Sequence, residues 1–273
     1  MLSYQHHYHA GSLSDIHKHG LLIKLIKALT IKDRPLSYME THSGRGFYDL
    51  ACWEAQKTGE AKEGIESLLA KNSHPDLNDD YLNLIKLLRI EFSNPSFYPG
   101  SPLIAKRLLR PQDELFLMEL HPGEIKHLQG LRKINGPKTN IHHRDGYEGV
   151  LAVAPPKNRR GLVLIDPSYE VKSEYNQVAE FCIKLHKKWP ESIIMIWYPI
   201  LNQGYHESMK DNLNLSFDNT LHTKKSSRIE HNKTITIEGQ PTPAIFYDEK
   251  FFKSTGRALG SGVAIINNPW KTN

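Results

Sequence analysis

Cysteine is almost missing from this sequence. Cys52 and Cys182 are the two thiols in 273 residues, too few and too far apart for a disulfide framework, and neither has the Cys or His company of a zinc site. Two reduced thiols in a reducing compartment are expected. Long apolar runs are missing too: the most apolar stretch, Ile193 to Leu201, is too short to cross a bilayer and carries Pro199. The opening Met1-Leu2-Ser3-Tyr4-Gln5-His6-His7 lacks the basic region and apolar run of a secretory leader. A cytoplasmic protein with no membrane association is therefore expected. No internal repeat, low-complexity tract or Gly/Ser linker divides the chain, so residues 1–273 are expected to form a single domain.

What is present is the composition of an ordinary globular protein, 39% hydrophobic and 24% charged, which excludes extended disorder. The formal charge of +5 is compatible with a polyanionic partner, yet such a partner has to be argued from a site. Leu36 to Glu40, Leu115 to Leu120, Gly161 to Asp166 and Ile193 to Tyr198 are short apolar runs ending in polar residues and read as buried parallel strands. Between them, Ser14 to Ile31, Ser101 to Leu109, Pro122 to Arg132 and Ser173 to Trp189 carry helical spacing. Alternation of strand and helix predicts an α/β, doubly wound sheet. Glu40, Glu119, Asp145 and Asp166 then fall at the carboxyl ends of strands, where such sheets hold their ligands.

One interval breaks the rhythm. Residues 41–114 are too many for a single crossover, and Tyr81, Leu84, Ile85 and Leu88 share one helical face, with Ile65, Leu68 and Leu69 suggesting a shorter partner. A small helical subdomain inserted at about 50–99 is expected, either as packing or as a lid or RNA-contacting arm. The segment from about 210 to 259 fits no motif.

Four short motifs carry chemistry. Glu40-Thr41-His42-Ser43-Gly44-Arg45-Gly46 follows a strand, and its glycines allow a tight turn close to a ligand. Glu119, followed by Leu120-His121-Pro122, can accept from both hydroxyls of a ribose or cap the next helix. Asp145-Gly146 suits the edge of a cofactor adenine or an ordinary turn. Asp166-Pro167-Ser168-Tyr169 is the sharpest. An aromatic amine is a poor nucleophile because its lone pair is delocalised, and it needs both amino hydrogens held. Asp166 offers one acceptor, the Pro167 carbonyl a second, and Tyr169 a flat face for a base.

In this order the motifs resemble the S-adenosylmethionine-dependent N6-adenine methyltransferases, whose catalytic motif is D/N/S-P-P-Y/F/W; Ser168 departs from it by replacing the second proline. The resemblance narrows with His9-Ala10-Gly11, Asp15, Lys18-His19, Tyr98-Pro99-Gly100-Ser101-Pro102, Glu119-Leu120-His121-Pro122, Arg159-Arg160-Gly161 and Trp197-Tyr198-Pro199. With Met1 to His6, these blocks are similar to the ribosomal RNA large subunit methyltransferase J family, which methylates adenine N6 in 23S ribosomal RNA. The resemblance implies a Rossmann-like methyltransferase sheet, S-adenosylmethionine as cofactor, adenine 2030 of 23S ribosomal RNA as target, and a monomer. It implies cofactor contacts from His19, His42, Ser101, Glu119, Asp145, Gly146 and Asp166, with Asp166 as catalytic acceptor and Tyr4 as a substrate contact. Ser101 followed by Pro102 also reads as an N-cap and first-turn pair.

Other readings stay open. The same chemistry could act on DNA adenine, or the fold could be a non-catalytic RNA-binding protein. His6, His7, His9, His17 and His19 invite a metal hydrolase, but their spacing matches no metal motif and no metal is expected. Arg159-Arg160 falls at the amino end of the strand leading to Asp166, away from the crevice, and the other basic clusters read as solvated surface.

Overall fold

The computed structural model describes residues 5–71, 79–225, 245–252 and 258–270. Tyr4 and all of residues 226–244 lie outside the described residues. The chain runs α1 (Leu13–Thr30), β1 (Ser37–Glu40), β2 (Phe47–Asp49), α2 (Trp53–Thr58), α3 (Ser67–Lys71), α4 (Asp79–Glu91), β3 (Phe97–Pro99) and α5 (Ser101–Leu108). It continues β4 (Glu114–Glu119), α6 (Pro122–Leu128), β5 (Lys138–His143), α7 (Gly146–Val153), β6 (Gly161–Ile165) and α8 (Ser173–Lys188). β7 (Ile193–Leu201), α9 (Tyr205–Lys225), β8 (Ile245–Phe251) and β9 (Ala258–Ile266) complete it.

Seven strands form one sheet in the order β5-β4-β1-β6-β7-β9-β8. The five strands from β5 to β7 are parallel, while β9 runs antiparallel to both β7 and β8. This is a Rossmann-like sheet. From β1 the chain steps outward to β4 and β5 and then returns across to β6, so the reversal of order falls between β1 and β6 and opens a crevice beyond their carboxyl ends.

The central strands are apolar on both faces because both faces are covered; all five residues of β6 are buried. One core lies on the side of α1, α5 and the insertion. The other lies on the side of α8 and α9. α1 is buried along most of its length, including Asp15, His17, Lys18 and His19, which is unusual enough for charged residues that each must have a partner.

Between β1 and α5 the insertion is not purely helical. Its ends are joined as an antiparallel hairpin, Phe47 opposite Pro99, Tyr48 opposite Tyr98 and Asp49 opposite Phe97. The hairpin clamps the base of the helical excursion to the sheet. The start of α5 also differs from the sequence reading. Gly100, extended at φ −80° and ψ 171°, is the N-cap, and Ser101 and Pro102 open the first turn. Ser101 is thus a helical residue and not the cap, because the Gly100 N–H is drawn onto the Gly46 carbonyl at 2.9 Å and sets the chain direction one residue earlier.

Candidate active site

At the crevice, β1 delivers Glu40. The carboxyl is fully buried, and burial pushes it up to about 8. The Tyr38 hydroxyl donates to Oε1 and Ser101 lies beside the carboxyl. Oε2 has no hydrogen-bond partner among the described residues, so a buried polar atom is left unused.

After β1 the backbone turns through Gly44 and Gly46 at φ +59° and +85°, conformations that favour glycine. The Gly44 N–H donates to Glu119 Oε2 at 2.7 Å, and the His121 N–H donates to Oε1 at 2.7 Å. Glu119 therefore ties the turn after β1 to the turn after β4, and burial raises its pKa. The capping role open to it in the sequence belongs to His121, whose ring accepts from the Gly123 and Glu124 amides. An ionised carboxylate has roughly four acceptor positions, so two remain for a ligand.

Asp145 caps α7, accepting the Glu148 N–H at 2.9 Å. Gly146 sits directly on the β1 turn: a Cβ there would stand 1.8 Å from the Thr41 carbonyl oxygen. His42 packs edge-on to Tyr147 at 5.3 Å. Burial lowers its pKa to about 4, against the pull of Asp166 and Asp145, which leaves the ring neutral at neutral pH.

β6 delivers Asp166. Its Oδ2 accepts from Lys18 Nζ at 2.6 Å, and the same ammonium lies 3.1 Å from Asp15 Oδ1. The Lys18 and Asp15 side chains are 5% and 1% exposed, against 15% for Asp166, so Asp166 is the most open of the three. Burial opposes the Lys18 charge, but Asp166 and Asp15 hold it strongly protonated. Burial likewise opposes charge on Asp15, yet His6, Lys18 and His19 keep it well below the usual carboxylate range. His6 Nε2 at 3.0 Å and the Gly11 N–H at 2.9 Å complete its shell.

Tyr169 does not offer the open face expected of it. The ring is 6% exposed and packs against Tyr175 and Trp197 at 4.4 and 6.0 Å. Its hydroxyl donates to the Trp197 carbonyl at 2.8 Å. A ring so tethered stiffens the turn. Ser168, where the motif usually has proline, lies beside the Glu174 carboxyl of α8, which accepts the Val171 N–H at 3.2 Å. The ring that reaches the crevice is Trp197, half-buried, with Lys18 Nζ 5.4 Å from its centroid. The indole N–H donates to Ser261 Oγ at 2.9 Å, and His17 Nδ1 meets the same oxygen at 3.0 Å.

The fold thus gathers Glu40 with Ser101, Glu119 with the glycine turn, Gly146 with Thr41, and His42 within the field of Asp145 and Asp166. His19 lies within the field of Asp15 and Lys18, with its Nδ1 2.9 Å from the Tyr98 hydroxyl, which in turn meets Tyr81 at 2.9 Å. It joins α1 to the insertion, and burial lowers its pKa to about 3. Tyr4 lies outside the described residues. Lys18, Asp15, Trp197 and Ser261 escaped the sequence reading as site residues; the available signal was an i, i+3 acid–base pair in the first half of α1. Arg160 donates to the Leu29 and Arg34 carbonyls and Arg159 pairs with Glu191, so both serve the floor of the sheet. Among the described residues, His206, Glu207 and Glu249 could group around an ion, but Lys210 already lies 2.9 and 3.4 Å from the two carboxylates. No described helix is long and apolar enough to cross a membrane.

Comparison with known proteins matches residues 33–234 to a family described as "Ribosomal RNA large subunit methyltransferase D, RlmJ". A protein of Escherichia coli (strain K12) named ribosomal RNA large subunit methyltransferase J is 34% identical over 272 residues, 99% of this chain and 89% of the relative. One of the same name from Haemophilus influenzae is 40% identical over 201 residues, 74% of this chain and 71% of the relative. A crystal structure of a Legionella pneumophila protein superposes with a TM-score of 0.79 at 34% identity, covering 96% of this chain and 88% of that one.

Proposed function

The chain belongs to this ribosomal RNA large subunit methyltransferase family, and from that premise we propose that it methylates N6 of adenine 2030 in 23S ribosomal RNA at the crevice around Asp166. The methyl donor is S-adenosylmethionine, which supplies an electrophilic methyl group on a sulfonium.

The residues present suit that donor. Glu119 keeps acceptor positions for the ribose hydroxyls. Asp145 and Gly146 flank the adenine edge. Glu40 Oε2, buried and unpartnered, fits an ammonium such as the one on the methionine moiety, and meeting it would draw the Glu40 proton off. The carboxylates of Asp166, Asp145 and Glu119 also suit a cationic sulfur. His42 and Ser101 line the same crevice.

On the substrate side, one observation carries the proposal: the single acid at the end of β6 has one oxygen fixed by a buried ammonium. Lys18 holds Oδ2 and balances its charge, which leaves Oδ1 to accept one amino hydrogen of the base, while the Pro167 carbonyl accepts the other. Such fixed acceptors localise the amine lone pair without reorganising during reaction. Trp197 offers the aromatic face, and Tyr169 behind it holds the turn. The base must leave its stack to reach this depth.

The test incubates labelled S-adenosylmethionine with 23S ribosomal RNA lacking the modification, using wild type and Asp166→Asn. Label in N6-methyladenosine at position 2030 with wild type, and loss of at least a thousandfold with the variant, is expected. Label on another atom or base, or on duplex DNA adenine instead, overturns the substrate; full activity of Asp166→Asn overturns the site.

A further inference from the structure

A cavity of about 370 Å³ opens between the glycine turn and the insertion, a volume in the range of small-ligand pockets, roughly 300–1,000 Å³. None of the residues assigned above to the donor or the adenine lines it. Its wall is a stack of three phenylalanines. Phe92 and Phe97 lie 4.3 Å apart and within 4° of parallel, and Phe47 lies 20° from each. Phe97 is buried, but Phe47 and Phe92 are only half-buried, so part of their ring surface stays open to one more flat ring.

The rim is polar and partly fixed. Arg45 is held by two hydrogen bonds to Glu124, at 2.9 and 2.6 Å, and stands 6.0 Å from the Tyr48 ring. Asp49 gives one oxygen to the Ala51 N–H and keeps Oδ2 as an acceptor. Asn94 gives its oxygen to the Ser96 N–H and keeps its NH2 as a donor. Aromatic rings with a donor and an acceptor at the edge match a nucleobase read on its face and its edge, while the Arg45 guanidinium is engaged by Glu124 and His7. An apolar peptide or acyl chain would strand that rim, and a bare phosphate would leave the rings unused.

The groove is also joined to the crevice through the chain. The run from Thr41 to Asp49 passes from one to the other, and His6 faces Asp15 while its neighbour His7 lines the groove.

We propose that this groove is a second nucleobase site, holding an unpaired base of the RNA that flanks the adenine delivered to Asp166. The inference rests on the RNA substrate proposed above and gives the insertion a part in recognition.

The experiment measures binding of hairpin RNA fragments spanning adenine 2030 by fluorescence anisotropy, with an abasic site placed in turn at each flanking nucleotide. Wild type, Phe92→Leu and Asp49→Asn are compared, with circular dichroism and S-adenosylhomocysteine binding as checks on fold and donor site. Phe92→Leu keeps apolar volume and loses the ring; RNA affinity is expected to fall about tenfold, in the range for one base–aromatic stack, with S-adenosylhomocysteine affinity unchanged. One abasic position should weaken wild type by the same factor and cost nothing further in Phe92→Leu. Asp49→Asn, at an exposed position, should change which base is preferred there. Folded Phe92→Leu binding RNA as wild type does, or losses that multiply at every abasic position, overturn the proposal. Wild type binding the hairpin without methylating it overturns the proposed function alone; wild type failing to bind it overturns both.

Discussion

Lys18→Met isolates the electrostatics of the crevice. The substitution keeps most of the apolar stem and removes one ammonium, which lies 2.6 Å from Asp166 and 3.1 Å from Asp15. Two carboxylates then face each other without it, one of them 1% exposed. Removing one side of a buried ion pair costs about 3–5 kcal/mol, and two anions are stranded here, so the upper half of that range, about 4 kcal/mol, is expected. Asp166→Asn is milder, about 1–2 kcal/mol, because Lys18 keeps Asp15 and the amide oxygen can still accept. In the double variant Asp15 retains His6 and the Gly11 N–H, so the double loss should fall short of the sum by about 1–2 kcal/mol. Urea unfolding at pH 7.5 reads all three, and label incorporation into RNA is measured alongside. Asp166→Asn should be folded and inactive, Lys18→Met both inactive and visibly destabilised against a total of about 5–15 kcal/mol. A Lys18→Met protein within about 1 kcal/mol of wild type, or strict additivity in the double variant, would refute the buried-bridge argument.

Two further outcomes follow from buried groups on the β1 side. Glu40 has its pKa raised by burial from 4.5 to about 8, so its neutral form is the one the fold prefers. Its contribution is intact below about pH 4.5 and is lost as pH rises toward 8, at up to about 1.4 kcal/mol per unit; wild type should lose stability against Glu40→Gln across that window, read as urea midpoints at pH 5 and pH 8.5. Gly146→Ala places a methyl 1.8 Å from the Thr41 carbonyl oxygen. Backbone cannot yield as a side chain can, so α7 must shift, costing about 1–3 kcal/mol and weakening S-adenosylhomocysteine binding in calorimetry.

The sheet was legible because its strands are apolar on both faces, and the polar strand ends at Glu40, Glu119 and Asp166 marked where the crevice opens. Strand pairing was less accessible: nothing local in Ala258–Ile266 says that β9 slots antiparallel between β7 and β8. The hairpin closing the insertion was also hidden, since Phe47–Asp49 and Phe97–Pro99 are too short for a period to show. At the site, the motif Asp166 to Tyr169 pointed to an acid at the end of β6, but burial decided which ring is accessible, and burial depends on Tyr175 and Trp197 from two other elements. Lys18 could be flagged from sequence only as a misplaced charge; that it grips Asp166 needs the packing of α1 across the sheet.

The hydroxyl that holds the Trp197 indole comes from Ser261 on β9, whereas the ammonium that holds Asp166 comes from α1. Lys18 is translated long before Ser261. A chain whose β9 has not yet inserted beside β7 therefore has its acid and the ammonium that grips it, but an unanchored indole.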